Sequence, residues 1–421
     1  MPSPFSLCRR RFALLLSVLG LAPLLLAMAM PGLAAAQGIA VGDVAGFETA
    51  LKQAGPGAVI ELESGTWKDV HLRVAASGSK DQPLTIRARQ AGKVVLVGDS
   101  RLQVGGEHVV VEGLRFEQPC GEEAIELRLD SKHIAKDCRI TQCAVVGSGG
   151  RSQTARMLSL YGRGHRVDHC YFAEKTSAGT SVVVWLGSAE QAWGGHRLDH
   201  NHFGPRQPLG KNGGETIRVG DSKTSLQAAR CRIEHNLFER CNGEAECISN
   251  KSCGNVYFRN RFLEVSGTLT LRHGNGCEVL ENAFLGGKAR HCGGVRVVGE
   301  DHLVRGNHME DLSGDKERSA ICLMNGIKNG PLNGYAPVRR LRLEDNGVLR
   351  CKSPLQWGMS GHQQAVVAPA EVSVVNLRIS SAAPKDEPQR EGVHWQQKDL
   401  RRPQWLSQAE PAGPSWRTDA P

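Results

Sequence analysis

Two short stretches decide the fold, Ile233-Glu234-His235-Asn236-Leu237-Phe238 and Phe258-Arg259-Asn260-Arg261-Phe262. In each, an apolar residue precedes an asparagine, and a phenylalanine follows two residues after it. The motif recurs with asparagines at 201, 282 and 307, and in weaker copies near positions 170 and 346. The asparagines at 236, 260, 282 and 307 are 24, 22 and 25 residues apart (260 − 236, 282 − 260, 307 − 282). A repeat of this length, in a chain rich in strand residues and glycine, predicts one solenoid coil per repeat.

The repeat predicts an all-β fold, a right-handed parallel β-helix. A single coil is too small to bury its own core, but coils stacked about 4.8 Å apart share a continuous core and pair their backbone groups. We expect each motif asparagine to adopt the left-handed turn conformation. Its amide should also bond the asparagine of the next coil, which gives a ladder. The phenylalanine two residues later should point inward and stack.

A short amphipathic helix is predicted at residues 41–54, before the first coils. Phe47, Leu51 and Ala54 share one side of it, and Gly55-Pro56-Gly57 ends it. A solenoid needs a cover for its exposed first rung. We therefore interpret this helix as the N-terminal cap.

The first 36 residues have the layout of a secretory signal peptide. Arg9-Arg10-Arg11 precedes an apolar run at residues 12–30, and small residues follow, with cleavage expected before Gln37. The run is long enough to remain as an uncleaved anchor, and the arginines loosely fit a twin-arginine signal. We expect a periplasmic or secreted protein with no stable membrane association after cleavage.

Residues 37–380 are predicted to form the β-helix domain and residues 381–421 an irregular C-terminal tail. Several prolines lie among charges in the tail, so it either wraps on the solenoid or is partly disordered. Trp395, Trp405 and Trp416 favour docking over pure disorder.

The net charge indicates which class of partner the protein binds, and the cysteine pattern bears on metal binding and on the core. The formal charge is +9, and the signal segment holds three arginines and no acid, which leaves 9 − 3 = +6. A basic exported protein suits an acidic polysaccharide, and we expect no nucleic-acid partner.

The thirteen cysteines include no CxxC pair, so a zinc cluster is not indicated. We expect several to be buried as small apolar side chains.

Several basic residues lie at nearly the same number of residues after the motif asparagine of their repeat. Lys251 lies 15 residues after Asn236, and similar offsets hold for the others, Arg218 (or Glu215), Arg272 and Arg296. Successive coils should therefore stack them on one face, where they repel one another unless a polyanion covers them. This pattern predicts a binding face.

Paired acids precede Lys251. Glu244 and Glu246 lie one residue apart, so they project from the same side of an extended strand. Asn212 on the preceding coil could add an amide oxygen, and such hard oxygen donors suit Ca²⁺. The alternative is that the acids only form salt bridges with neighbouring arginine and lysine.

Four local motifs resemble those of polysaccharide lyase family six, which contains alginate lyases and chondroitinase B. They are Asn212-Gly213-Gly214-Glu215-Thr216-Ile217-Arg218-Val219-Gly220, Ile248-Ser249-Asn250-Lys251-Ser252, Leu271-Arg272-His273-Gly274 and Gly293-Gly294-Val295-Arg296. The similarity spans about residues 40–360, in order and in spacing. Some members of that family carry a second β-helix domain, for which this chain has no room, so endolytic or exolytic action stays open.

The resemblance implies a β-helix that cleaves uronic-acid polymers by β-elimination. It implies Lys251 as base and Arg272 as acid, although an arginine hardly deprotonates and water could supply that proton. It implies that substrate is held by Arg218, His273 and Arg296. It implies a Ca²⁺ cofactor held by Asn212, Glu244 and Glu246.

Alginate is the expected substrate, and dermatan sulfate is the alternative. The sulfates of dermatan sulfate would favour more arginine and lysine contacts, and a net charge of +6 is modest for such a substrate. A non-catalytic glycan-binding solenoid is a second alternative, but it would not need Lys251 beside paired acids. A hydrolase would use a carboxylate pair as acid and base, and Glu244 and Glu246 offer one. The row of lysine and arginine argues against hydrolysis.

Overall fold

A computed structural model describes residues 38–148, 154–187, 193–381, 389–396 and 400–418. The predicted signal segment, residues 1–36, lies outside these ranges. In the described part, no helix is long and apolar enough to cross a lipid bilayer.

The chain winds through three long sheets, and neighbouring strands within each sheet pair in parallel. Each coil contributes one strand to each sheet in turn, which makes the molecule a right-handed parallel β-helix, as predicted. Sheet 1 has 13 strands. They are β1 Ile39–Val41, β2 Val59–Leu62, β5 Leu84–Ala88, β8 Val109–Glu112, β11 Arg139–Thr141, β14 Arg166–Asp168, β17 Arg197–Asp199, β20 Arg232–Glu234, β23 Val256–Phe258, β26 Glu278–Leu280, β29 Leu303–Arg305, β33 Arg342–Glu344 and β37 Ser373–Val375.

Sheet 2 has 11 strands and carries the candidate site. They are β4 His71–Val74, β7 Arg101–Val104, β10 Glu123–Glu126, β13 Arg156–Leu160, β16 Val182–Val184, β19 Ile217–Gly220, β22 Glu246–Lys251, β25 Thr268–His273, β28 Val295–Val297, β31 Ile321–Met324 and β35 Leu355–Met359.

Sheet 3 has 13 strands. They are β3 Gly65–Lys68, β6 Val94–Val97, β9 Leu114–Glu117, β12 Ala144–Ser148, β15 Tyr171–Lys175, β18 His202–Phe203, β21 Leu237–Glu239, β24 Arg261–Leu263, β27 Ala283–Leu285, β30 His308–Glu310, β34 Gly347–Leu349, β38 Leu377–Ser380 and β39 Val393–Gln396. Two further strands, β32 Gly326–Ile327 and β36 Ala365–Val367, form an antiparallel pair beside the solenoid.

The predicted asparagine ladder is present at the corner between sheets 1 and 3. Asn236 donates through its Nδ2 to Asn260 Oδ1 (3.0 Å), and Asn260 donates in the same way to Asn282 Oδ1 (2.9 Å). The ladder extends in both directions to Asn201 and, through position 307, to Asn346. All members are buried, so the ladder satisfies amides that would otherwise be stranded in the core.

The phenylalanines stack as predicted. The rings of Phe203, Phe238, Phe262 and Phe284 lie nearly parallel, with centroids 4.7, 4.7 and 4.6 Å apart along the series. Their spacing matches the rise from one coil to the next, so each ring fills the interior directly above its predecessor.

The left-handed conformation was assigned to the wrong residue. The residue before each motif asparagine has the positive φ, for example His235 (55°) and Arg259 (51°). The asparagine itself turns inward, because its amide must reach the neighbouring coil. The preceding residue makes the corner and projects outward.

The N-terminal cap is an α-helix, α1 Val44–Gln53. Asp43 caps it by accepting a hydrogen bond from Gly46 N (2.7 Å). Phe47 is buried, and Leu51 and Ala54 pack against the core, as predicted.

The tail is more ordered than the irregular segment predicted for residues 381–421. Strand β39 pairs with β38 and adds a rung to sheet 3, and a short helix, α2 Gln404–Ser407, follows. The chain then runs back along the solenoid: Arg402 pairs with Glu310, and Trp416 Nε1 donates to Gln142 O (2.7 Å). The described part of the tail therefore docks on the coils.

Twelve cysteines lie in the described part, and none forms a disulfide there. Nine of them are buried, so they serve as small apolar core residues, as expected. Burial raises the pKa of several thiols, among them Cys231 and Cys277, to about 12.

Candidate active site

Sheet 2 brings the predicted basic residues onto one face, but in two rows instead of one. The outward positions of one row are Arg218, Ser249, Thr270 and Arg296, which pair in register on successive coils. The prediction that Lys251 and Arg272 share this row with Arg218 and Arg296 is wrong in register.

The second row lies two residues further along the strands. Lys251 pairs with Gly220 on one side and with His273 on the other. A bulge causes the shift, because Asn250 pairs with Leu271 and Lys251 pairs with His273, which leaves Arg272 as an extra residue. The bulge therefore places both Arg272 and His273 beside Lys251.

The predicted metal ligands line one cavity of about 650 Å³. Its walls include Asn212, Glu244, Glu246 and Arg296. Glu244 Oε2 accepts hydrogen bonds from the backbone N–H groups of Gly213 (2.7 Å) and Gly214 (3.0 Å).

Glu244 is partly buried, close to two other carboxylates, Glu215 and Glu246. Burial, with the neighbouring carboxylates Glu215 and Glu246, raises the pKa of Glu244 to about 7. A nearby cation would relieve this repulsion. In the described part, no three His, Cys, Asp or Glu side chains are grouped closely enough to hold a metal, so a site would need the Asn212 amide and backbone oxygens. In donor chemistry the set fits Ca²⁺.

Glu246 is engaged by other side chains. Arg296 Nη2 forms a close ion pair with its Oε1, and Ser249 Oγ donates to its Oε2 (2.5 Å). Arg272 Nε lies 3.9 Å from Oε1. In this arrangement Glu246 forms salt bridges, which is the alternative to metal binding given above. The Glu246 carboxylate would have to leave Arg296 before it could act as a metal ligand.

Sequence reasoning missed Arg206, which supports the turn at Gly213 and Gly214 from below. This buried guanidinium donates from Nη1 to Glu215 O (2.7 Å) and from Nη2 to Gly179 O (2.9 Å) and Gly213 O (3.4 Å). It thereby fixes the turn whose amides hold Glu244. Its partners are mostly backbone oxygens, with Ser181 Oγ at 3.4 Å as the side-chain partner, so no sequence motif could have shown it.

Arg272 is held by a loop that lies 61–63 residues further along the chain. Its Nη1 donates to Gly334 O (2.9 Å) and its Nη2 to Asn333 O (3.3 Å). The guanidinium also lies over the ring of Tyr335, 4.2 Å from the centroid. Burial lowers the pKa of Arg272 from its usual value. Tyr335, which also lines the cavity, was not predicted as a site residue.

His273 is a neutral imidazole. Burial, together with the positive charges of Arg272 and Lys251, lowers its pKa to about 3. Arg272 Nη1 lies 3.3 Å from Nδ1, so Nδ1 accepts and the ring proton is on Nε2. Ser222 Oγ lies 3.3 Å from that Nε2. His273 lines a second cavity, of about 600 Å³, which meets the first at Tyr335.

Lys251 is partly exposed at the centre of these groups. Among the described residues no ion pair involves it, since Glu246 is held by Arg296. Its side chain therefore lies beside Arg272 and His273 without a carboxylate partner in the described part.

The fold and the site together define a class of protein, a parallel β-helix that carries two cationic rows beside paired carboxylates on one sheet. A family model described as chondroitinase B matches residues 41–387. The chain therefore belongs to polysaccharide lyase family six, as the sequence motifs indicated.

Solved structures agree with this assignment. The PL6 family alginate lyase AlyGC is 33% identical, with a TM-score of 0.80 over 85% of this chain and 53% of AlyGC. This chain thus spans about half the length of AlyGC. A mannuronic acid specific family 6 lyase from human gut microbiota is 28% identical, with a TM-score of 0.76 over 88% of this chain and 94% of that one.

A family 6 lyase from Pseudopedobacter saltans shares the fold, at 22% identity and a TM-score of 0.72 over 91% of this chain and 97% of that one. No curated protein matches the chain significantly.

Proposed function

We propose that the protein cleaves alginate by β-elimination, with Lys251 as the base. The observation that carries the proposal is that Lys251, which has no ion-pair partner among the described residues, lies in the second row beside Arg272 and the neutral His273. Polymeric uronates bring carboxylates to such a face. A binding module would need the cations, but it would not need a lysine beside paired acids.

Proton abstraction is the demanding step, because the proton at C5 of a uronate lies beside an anionic carboxylate. Lys251 would accept that proton as a neutral amine. His273, being neutral, can donate or accept a hydrogen bond to the sugar without adding charge. Arg218 and Arg296 would hold carboxylates of the chain.

Negative charge develops on the uronate carboxylate as the proton leaves. Bound Ca²⁺, held by Asn212, Glu244 and Glu246, would neutralise that carboxylate and stabilise the developing charge. Glu246 would exchange its ion pair with Arg296 for this role, which would free the Arg296 guanidinium for substrate.

We assign Arg272 a catalytic role that acts through its charge instead of through proton donation. Its donors are held by Asn333 O and Gly334 O, and an arginine hardly deprotonates. The rigid guanidinium would stabilise the departing oxygen at C4, and water would supply the proton.

Alginate is favoured because AlyGC is described as an alginate lyase and the gut enzyme as mannuronic acid specific. Dermatan sulfate is the second candidate, because the matching family model is chondroitinase B.

The test is the ultraviolet absorbance of unsaturated uronate ends. Purified protein is given alginate or dermatan sulfate, each with calcium and with chelator. We expect a rise on alginate that chelator abolishes and calcium restores. A rise in absorbance with dermatan sulfate alone would mean that dermatan sulfate, and not alginate, is the substrate. No rise on either polymer, with binding retained, would indicate a glycan-binding module.

We also propose that the chain is exported and acts in the periplasm or outside the cell. The support is the basic and apolar N-terminal segment of residues 1–36. Cell fractionation with N-terminal sequencing of the mature protein should find it outside the cytoplasm, beginning near Gln37. Full-length protein retained in the cytoplasm would contradict this.

A further inference from the structure

Residues 410–417 of the tail cross the corner between sheets 1 and 3, and we call this segment the strap. Gly413 N donates to His200 O (2.8 Å), and Trp416 Nε1 donates to Gln142 O (2.7 Å). Residues 412–414 are buried in this contact. The strap therefore ties together coils whose corner residues are 58 positions apart in sequence (200 − 142).

One histidine at this corner lies between two carboxylates. His200 Nδ1 lies 2.9 Å from Oδ2 of Asp199, and His200 Nε2 lies 3.0 Å from Oε2 of Glu410 in the strap. The histidine side chain is 12% exposed, whereas that of Glu410 is 74% exposed. Each ring nitrogen therefore faces a carboxylate, one from the solenoid and one from the tail.

This geometry requires a protonated ring. A neutral imidazole has a single N–H, so its other nitrogen would turn a lone pair toward a carboxylate oxygen. The imidazolium donates from both nitrogens and satisfies both carboxylates. Asp199 is held as an anion, because Arg166 donates to its two oxygens (2.9 and 2.7 Å). The proton of the docked arrangement therefore lies on His200.

The neighbouring coils place two further histidines against His200. The rings of His169 and His235 stack on its two faces, each with its centroid 5.1 Å away. His169 Nδ1 lies 2.9 Å from Asp168 Oδ2, and Glu234 on the other coil pairs with arginines. Burial, together with the charge of His200, lowers the pKa of His235. His235 is therefore neutral, and His200 is the protonated ring of this pair.

The charges around His200 favour its protonated form while the strap is docked. The hydrogen bond to Asp199, together with the charge of Glu410, raises the pKa of His200 against the opposing effects of burial and Arg197. Arg261 Nη2 donates to the backbone oxygen of Glu410 (3.3 Å), so it holds the strap without pairing with the carboxylate. Release of the strap would remove Glu410 from His200 and leave Asp199 in place.

We propose that docking of the strap is linked to protonation of His200. When the ring loses its proton, one nitrogen turns a lone pair toward a carboxylate and the docked arrangement is weakened. Because docking with Glu410 raises the pKa, this contribution is fully present below the usual histidine pKa of about 6.5 and is lost as pH rises through the raised value. The strap is therefore a clamp that is tighter in mildly acidic than in alkaline surroundings.

The test is hydrogen–deuterium exchange of the full chain, measured by mass spectrometry on the peptide that contains the strap. Each exchange rate is divided by the intrinsic rate at the same pH, so that only protection is compared. Protection of the wild-type strap should fall about three- to tenfold between about pH 6 and about pH 8.5. Glu410→Gln and His200→Asn should remove this pH dependence. Asparagine suits position 200, where φ is 55°.

Glu391→Gln is the matched control, because Glu391 is an exposed glutamate of the tail that forms no ion pair among the described residues. It should keep the wild-type pH dependence. Protection of strands β20 to β27 in the same digest reports that each variant is folded. Strap protection that does not change with pH in the wild-type protein would overturn the proposal. A pH dependence that persists unchanged in either Glu410→Gln or His200→Asn would overturn it as well.

Discussion

Removing one rung of the asparagine ladder should destabilise the whole solenoid, and Asn260→Ala is the sharpest case. The Asn260 side chain accepts from Asn236 N (3.1 Å) and Asn236 Nδ2 (3.0 Å). It donates to Ile233 O (2.8 Å) and Asn282 Oδ1 (2.9 Å). The residue is fully buried.

The magnitude follows from the groups that the substitution leaves unpaired. Asn236 N–H and Nδ2 lose their acceptor, and Ile233 O loses its side-chain donor, whereas Asn282 Oδ1 keeps the bond from Asn260 N. Each stranded buried group costs about 1–3 kcal/mol. Relaxation of the coil recovers part of this, so the free energy of unfolding should fall by about 3–6 kcal/mol.

The assay is urea unfolding followed by circular dichroism, with Asn333→Ala as control. Asn333 is exposed, and its side chain forms no hydrogen bond among the described residues, so that control should stay within about 0.5 kcal/mol of wild type. A loss below about 1 kcal/mol for Asn260→Ala would refute the view that the ladder is an obligatory part of the core.

Three further predictions test the base, a buried cation and the tail. Lys251→Ala should lower kcat on alginate at least about 10³-fold, with an unchanged melting temperature. Substantial residual turnover would rule out Lys251 as the catalytic base. Burial and the charge of Arg206 lower the pKa of Lys175 to about 7, so the unfolded chain binds the extra proton between pH 7 and 10. Stability should therefore rise with pH there by up to about 1.4 kcal/mol per unit from this group, a slope that Lys175→Met should lose in pH-dependent unfolding. Trp416→Ala removes the hydrogen bond to Gln142 O and should lower the free energy of unfolding, measured by thermal unfolding, by about 2 kcal/mol. A variant as stable as wild type would mean that the docked tail does not stabilise the solenoid.

Sequence motifs predicted a set of site residues, but they could not predict the contacts of those residues. Glu244, Glu246 and Asn212 do line one cavity, because motif spacing follows the coil length. Sequence offsets could not show that Glu246 is held by Arg296, or that Arg272 is held by the loop at Asn333. Those partners lie 50 and 61 residues away, and their approach depends on how loops of unequal length fold back over the sheet.

The sequence alone determined the solenoid, since each repeat specifies its own coil and contacts only its neighbours. Asn260 and Phe262 could be placed in their columns from spacing because stacking copies one coil onto the next. The tertiary structure decided the strand register of the candidate site, since one extra residue in β25 separates Arg272 from the row of Arg296 and sets His273 beside Lys251. The tryptophans of the tail favoured docking, but only the tertiary structure decided where the tail docks. Its contacts join Arg402 to Glu310 and Trp416 to Gln142, residues 92 and 274 positions apart, and no local pattern records contacts between surfaces so far apart in the chain.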